Sequence, residues 1–142
     1  MGLTVLPAVS CPYCGRPAKL VNGAAIYGPG RFENRLFWHC RDCAAWVGCH
    51  KNSRRAAPMG RLADAELRRW KANAHAVFDP LWRTGPLNRA DAYRKLAKAL
   101  GTCPESRFCH IGWMDVEQCK AVVRICQEWR QKNDQSRNSA IH

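Results

Sequence analysis

Four cysteines stand in two identical spacings, Cys11-Pro-Tyr-Cys14 and Cys40-Arg-Asp-Cys43. Two intervening residues let both thiolates of a pair reach one ion from a single tight turn, with backbone N–H groups pointing at the sulfurs. Two such pairs supply four thiolates, the donor set of a closed tetrahedral zinc site. Iron in a rubredoxin-like centre uses the same donors, and spacing alone does not separate the metals. A four-thiolate ion keeps no open position for water, so the expected role is structural rather than catalytic. Four free thiols in a core is the poorer reading, because Gly15, Arg41 and Asp42 lie beside them. One structural Zn2+ is the expected cofactor.

Other ligand-type residues lack a diagnostic spacing. His50, His75, Asp79, Cys109, His110 and Cys119 are the candidates for a second metal site or an acid–base site, with Cys49 beside His50. Each also has an ordinary explanation. Asp79 can cap a helix, Cys119 and Cys126 fall on an apolar helix face, and His50 and His110 can be satisfied where the two parts of the chain join. No HNH-type arrangement, Gly-x-Ser-x-Gly or phosphate-binding Gly-rich loop is present, and nothing marks a cysteine as activated.

The third chemistry is charge. The chain has 23 Lys+Arg against 11 Asp+Glu, a formal +12. Residues 1–50 hold five basic and two acidic residues; the rest holds 18 and 9. Lys51, Arg54, Arg55 and Arg61 lie in a stretch without an acidic residue, and Arg68, Arg69, Lys71, Arg94, Lys95 and Lys98 follow. Cations clustered this way can track phosphates. Tyr13, Tyr27, Phe32, Phe37, Trp38 and Trp46 are candidates to stack on unpaired bases. The competing explanations are solvated helix faces and an apolar seam.

The elements that must position these groups follow from local pattern. Ala18–Val21, Arg35–Trp38 and Ala45–Val47 read as short strands, with Asn22-Gly23 and Gly28-Pro29-Gly30 as turn signals. The 25 residues between the cysteine pairs suffice for a hairpin and a third strand, the layout of a zinc ribbon. Asp64 can cap a helix to about Phe78, with Leu67, Trp70, Ala74 and Phe78 on one face. Asp79-Pro80 should end it and start a short turn. Asn88 can cap a helix to Leu100, with Gly101 as its stop. A last helix should open at Asp115, three residues before Gln118, and run to about Gln131, burying Val116, Cys119, Val123 and Cys126. The expected fold is thus α+β: a ribbon of three short antiparallel strands, then a small basic helical part of three to four helices. The expected division is 1–50 ribbon, 51–60 basic linker, 61–131 helical domain and 132–142 disordered tail.

Length and composition bound the remainder. At 142 residues and 46% hydrophobic, the chain can bury a core and is not a disordered tail. No apolar run approaches the ~20 residues of a membrane span. Met1 to Ser10 does not read as a secretory signal, so reduced or metal-bound thiols are expected, and the odd count of nine cysteines suits a disulfide framework poorly.

The chain also resembles a family of small zinc-finger-containing proteins of phages and prophages whose function is uncharacterised. The likeness covers about Cys11 to Trp129. It rests on Cys11-Pro-Tyr-Cys14-Gly, Phe37-Trp38-His39-Cys40, Val47-Gly48-Cys49-His50, Pro58-Met59-Gly60-Arg61, Ala74-His75 through Trp82, Arg89-Ala-Asp-Ala-Tyr93 and Cys109-His110-Ile111-Gly112. The resemblance implies a ribbon fused to a helical part, working in the cytoplasm of a bacterial host.

The leading functional expectation is a nucleic-acid-binding accessory or regulatory factor with DNA or RNA as partner. The alternative is a phage-encoded inhibitor or adaptor that binds a host protein complex, such as a defence system or polymerase. The third is a metal-dependent enzyme at His50, His75, Asp79 and His110. No membrane partner is expected.

Overall fold

The computed structural model describes residues 6–103, 105–106 and 109–140, with side chains described as far as Asn133. The chain divides into two compact units, residues 1–68 and 69–142.

The first unit is built on strand alternation. Leu36-Phe37-Trp38-His39-Cys40 sends Trp38 and Cys40 to one face and Phe37 and His39 to the other, since successive side chains of a strand point oppositely. Strands β1 (Lys19–Asn22), β2 (Leu36–Cys40) and β3 (Ala45–Gly48) form an antiparallel sheet in the order β1-β2-β3. Trp38 lies opposite Leu20 on one side and Val47 on the other. These residues cover a small core of Cys11, Ala18, Trp38, Cys40, Ala45 and Leu62. The turn signals between β1 and β2 enclose one short helical turn, α1 (Ala24–Tyr27), which the sequence reading did not include.

Residues 51–60, expected as a linker, and 61–63, expected to begin the helical domain, fold back along β3. Met59 N–H donates to Gly48, and Trp46 and Ala63 exchange a pair of backbone hydrogen bonds at 3.1 and 3.0 Å. Trp38 Nε1 donates to the Ala56 carbonyl at 2.7 Å. Leu62, fully buried, comes from this segment. The reason is apolar content: Ala56, Leu62 and Ala63 are buried, while Lys51, Asn52, Arg54, Arg55 and Met59 face water.

Helix α2 (Ala65–Phe78) opens on Asp64, whose carboxylate accepts from Leu67 N–H at 3.0 Å. The boundary between the units falls inside α2, after Arg68. In the second unit α2 is followed by α3 (Pro80–Arg83), α4 (Arg89–Leu100), a 3-10 turn at Ile111–Trp113 and α5 (Val116–Ala140). Asn88 caps α4 by accepting from Asp91 N–H at 2.8 Å, and Gly101 ends it at φ 72°, a left-handed conformation that glycine adopts at little cost. At the start of α5, Asp115 and Gln118 form a reciprocal capping box, with hydrogen bonds of 2.8 and 2.9 Å.

The core of this unit holds Ala74, Phe78, Tyr93, Leu96, Ile111, Met114, Cys119 and Val122. Two expectations shift. The buried stripe of α5 runs through Cys119, Val122, Ile125 and Cys126, leaving Val116 and Val123 half-buried. Helix α5 also continues to Ala140, past the expected end at Gln131, and no Gly or Pro after Asp115 interrupts it. Residues 141–142 of the expected tail lie outside the described residues.

Candidate metal centre and basic surface

Each cysteine pair sits on its own turn. In the first, Gly15 N–H donates to the Cys11 carbonyl and Cys11 N–H to the Arg16 carbonyl, both at 2.8 Å. Gly15 has φ 76°, so the chain reverses directly after the second thiol. In the second pair the corresponding residue is Ala44, at φ 48°. The register of β2 with β3, with Cys40 opposite Ala45, closes this second turn.

The turns bring the four Sγ atoms within 4.8 Å of one another. Cys14 Sγ lies 3.8 Å from Cys40 Sγ. A tetrahedral zinc with Zn–S bonds of about 2.3 Å separates its sulfurs by about 3.8 Å, so the spacing matches the edge of such a tetrahedron. The donor chemistry agrees. Loss of water and crowding by Cys14 and Cys40 push the Cys43 thiol up to about 12. Cys40 is also raised: the Cys43 N–H favours its thiolate, but desolvation and the Cys11 and Cys14 thiols outweigh that. Cys14 is lowered, chiefly by the Arg16 N–H. Four clustered sulfurs resist joint ionisation without a cation among them, and a divalent ion supplies it. Cys11, Cys14, Cys40 and Cys43 therefore form a tetrahedral-type site for one structural zinc. With all four donors from protein, zinc supplies cross-linking of the two turns and holds no water for catalysis. Among the described residues this is the one group of three or more His, Cys, Asp or Glu whose ligand atoms converge so closely.

The candidates for a second site are placed as follows. In the first unit, His50 is exposed and its N–H donates to the Ala57 carbonyl. In the second, His75 Nδ1 lies 3.2 Å from Asp79 Oδ1. Asp79 does not cap α3 with its side chain. Its backbone stays helical (φ −60°, ψ −33°) despite the following proline, so the carboxylate turns instead to His75 and to Trp82 Nε1 at 3.3 Å. His110 packs on Tyr93, with ring centroids 4.4 Å apart. Burial, then the Arg89 charge, lowers its pKa. Cys109 and Cys119 are fully buried, and burial raises the Cys109 thiol.

The expected nucleic-acid contacts divide into two sets. Arg68 stacks over Trp46 at 3.6 Å and donates to the Ala63 carbonyl at 2.6 Å. Lys71 donates to the Gly112 carbonyl at 2.8 Å, Arg94 pairs with Asp91, Lys95 lies over Trp129, and Arg61 lies over Tyr13. These five have partners within the chain, although Arg94 and Lys95 remain exposed. Lys51, Arg54, Arg55, Arg69 and Lys98 are exposed, and among the described residues none has a carboxylate partner.

The aromatic set divides too. Trp38 is buried and is removed from the stacking candidates. Tyr27 gathers Phe32, Phe37 and Trp46 around it edge-to-face, at 5.2, 5.8 and 5.9 Å. Tyr27 and Phe32 keep exposed ring surface.

Charge is also shared differently from the sequence division. Residues 1–68 hold ten basic and four acidic residues, and residues 69–142 hold 13 and seven, so each unit carries +6. The sequence division at residue 50 assigned the basic stretch away from the ribbon against which it folds.

A family profile described as a zinc-finger-containing domain (DUF3268) matches residues 7–129. No curated protein and no solved structure matches the chain. Among the described residues no helix is long and apolar enough to cross a membrane.

Proposed function

The chain belongs to this zinc-finger-containing family, and from that premise we propose that it is a nucleic-acid-binding accessory or regulatory factor built on a zinc ribbon. The observation that supports this most is the segment folded along β3. It exposes Lys51, Arg54 and Arg55 within five residues, with no carboxylate partner among the described residues, on a backbone hydrogen-bonded to the ribbon. Cations held on a fixed scaffold lose little freedom when they meet phosphates, and they release condensed counterions when they do. Exposed Tyr27 and Phe32, with Arg31 over the Tyr27 ring, add stacking surface of the kind that unpaired bases use. The zinc holds this scaffold together and takes no part in chemistry. The phage-borne setting and bacterial cytoplasm implied by the family likeness belong to the same proposal.

The test is a mobility shift with single- and double-stranded DNA and RNA over a salt series. Three phosphate contacts predict that log affinity falls with log salt at a slope of about −2 to −3. No shift with any of these nucleic acids at low salt would end the proposal.

A further inference from the structure

The ribbon unit carries a cleft of about 590 Å³ between the chain entering β2 and the turn leaving β3. Its volume falls within the ~300–1,000 Å³ typical of small-ligand sites. Arg35, Lys51, His50, Asn34, Asn52 and Ser53 line it, and no carboxylate does. The acidic residues nearest in sequence are engaged elsewhere. Glu33 accepts from the Gly30 N–H at 2.7 Å, and Asp42 pairs with Arg16 at 2.6 Å. Among the described residues neither Arg35 nor Lys51 has an ion-pair partner. Two cations, two carboxamides and a hydroxyl around one hollow are donors awaiting an anion with several acceptor oxygens.

The hollow is built rather than incidental. Cys49 N–H donates to the Leu36 carbonyl at 3.1 Å, which joins its two walls. The turn beyond is held by Ser53 N–H to the His50 carbonyl at 3.1 Å and by Ala57 N–H to Ser53 Oγ at 3.0 Å. Leu36, 45% exposed, and the half-buried Cys49 give one apolar side. Burial raises the Cys49 thiol, so it stays neutral and serves as wall. An anion-binding end beside an apolar end matches one nucleotide unit, with its phosphate on the cations and its base against Leu36. A duplex keeps its bases paired and turned inward, so only an unpaired strand can lay a base on the apolar side while its phosphate meets the cations.

We infer that this cleft seats one phosphate and the adjoining base of a single-stranded nucleic acid, with Arg35 and Lys51 as the phosphate contacts. The inference rests on the nucleic-acid-binding function proposed above and gives it a place.

The experiment uses the full-length, zinc-loaded protein and a fluorescein-labelled oligothymidylate of about ten nucleotides, within the span of known single-strand sites. Anisotropy titrations over a salt series compare wild type with Arg35→Gln/Lys51→Gln, with Asn52→Asp, and with Arg124→Gln/Lys132→Gln, which removes equal charge from α5. Metal content and melting temperature confirm that each variant is folded. The cleft double variant should weaken binding about tenfold or more and reduce the salt slope by about 0.7, the share of one phosphate on a single strand. Asn52→Asp should weaken it comparably, and the α5 variant should stay within about threefold of wild type, as expected for long-range charge alone. Binding by wild type that the cleft variants leave unchanged in affinity and slope would overturn this inference and leave the proposed function standing. Absence of wild-type binding to this probe, and to the other nucleic acids above, would remove the proposed function itself. Displacement of the probe by thymidine monophosphate as effectively as by unlabelled strand, at equal nucleotide concentration, would overturn the strand assignment in favour of a free-nucleotide pocket.

Discussion

Asp79 and Trp38 are side chains whose surroundings redirect what their residue types suggest. Asp79 precedes proline, where a capping role is normal, yet its helical backbone frees the carboxylate for His75 and Trp82. Trp38 belongs to an aromatic-rich stretch, but strand alternation turns it inward while Phe37 faces the opposite side. His110 yields a pH prediction. Its folded-state pKa lies below the ordinary 6.5 through burial, then through Arg89, so protonation favours the unfolded chain. The stability it contributes is fully present above 6.5 and is lost as pH falls through the lower folded value. Melting temperatures of the second unit should drop between about pH 7 and pH 5, and His110→Phe should flatten that drop. An undiminished pH response in the variant would assign the effect to other groups. At the metal centre, Cys11→Ser should cut retained zinc from one ion per chain towards none after dialysis against a chelator. Unchanged metal content would remove Cys11 from the ligand set.

The elements differ in how plainly their sequences announce them. Helix starts were legible because capping is local. Asp64, Asn88 and Asp115 each accept from the N–H three residues on, as their positions predict. Asp115→Ala should therefore cost the helical unit about 1 kcal/mol in denaturant unfolding. The segment 51–63 was not legible. Its pairing with β3 consists of backbone hydrogen bonds, its buried Ala56, Leu62 and Ala63 follow neither a strand nor a helix period, and Pro58 and Gly60 read as linker. Leu62→Ala tests its place in the fold. As a fully buried residue of the ribbon core, it should destabilise the first unit by about 2–5 kcal/mol. A cost under about 0.5 kcal/mol would return the segment to the status of a linker.

For the whole molecule, the two units differ in what stabilises them. The first has a small core for its length that includes the ligands Cys11 and Cys40, so its folding should depend on zinc; the second buries Phe78, Leu96, Ile111, Met114 and Val122, none of them part of the core around the four-cysteine site. Stripping zinc should abolish exchange protection of the Trp38 indole N–H, which is bonded to Ala56, while most helical ellipticity in the far ultraviolet remains. Simultaneous loss of both signals would show that the second unit also depends on the metal. The sequence by itself determined the ligands, the three strands, the caps of α2, α4 and α5, and the total charge. All of these are short-range properties: a two-residue spacing, an alternation, a side chain reaching three residues on. Tertiary structure alone decided that residues 51–63 join the ribbon, that each unit carries +6, and which cations remain without a carboxylate. It also brought Arg35 beside Lys51 around one cleft. Those two lie 16 positions apart, with neither motif nor period to connect them. They meet because Cys49 hydrogen-bonds across to Leu36, and only the folded sheet makes that contact.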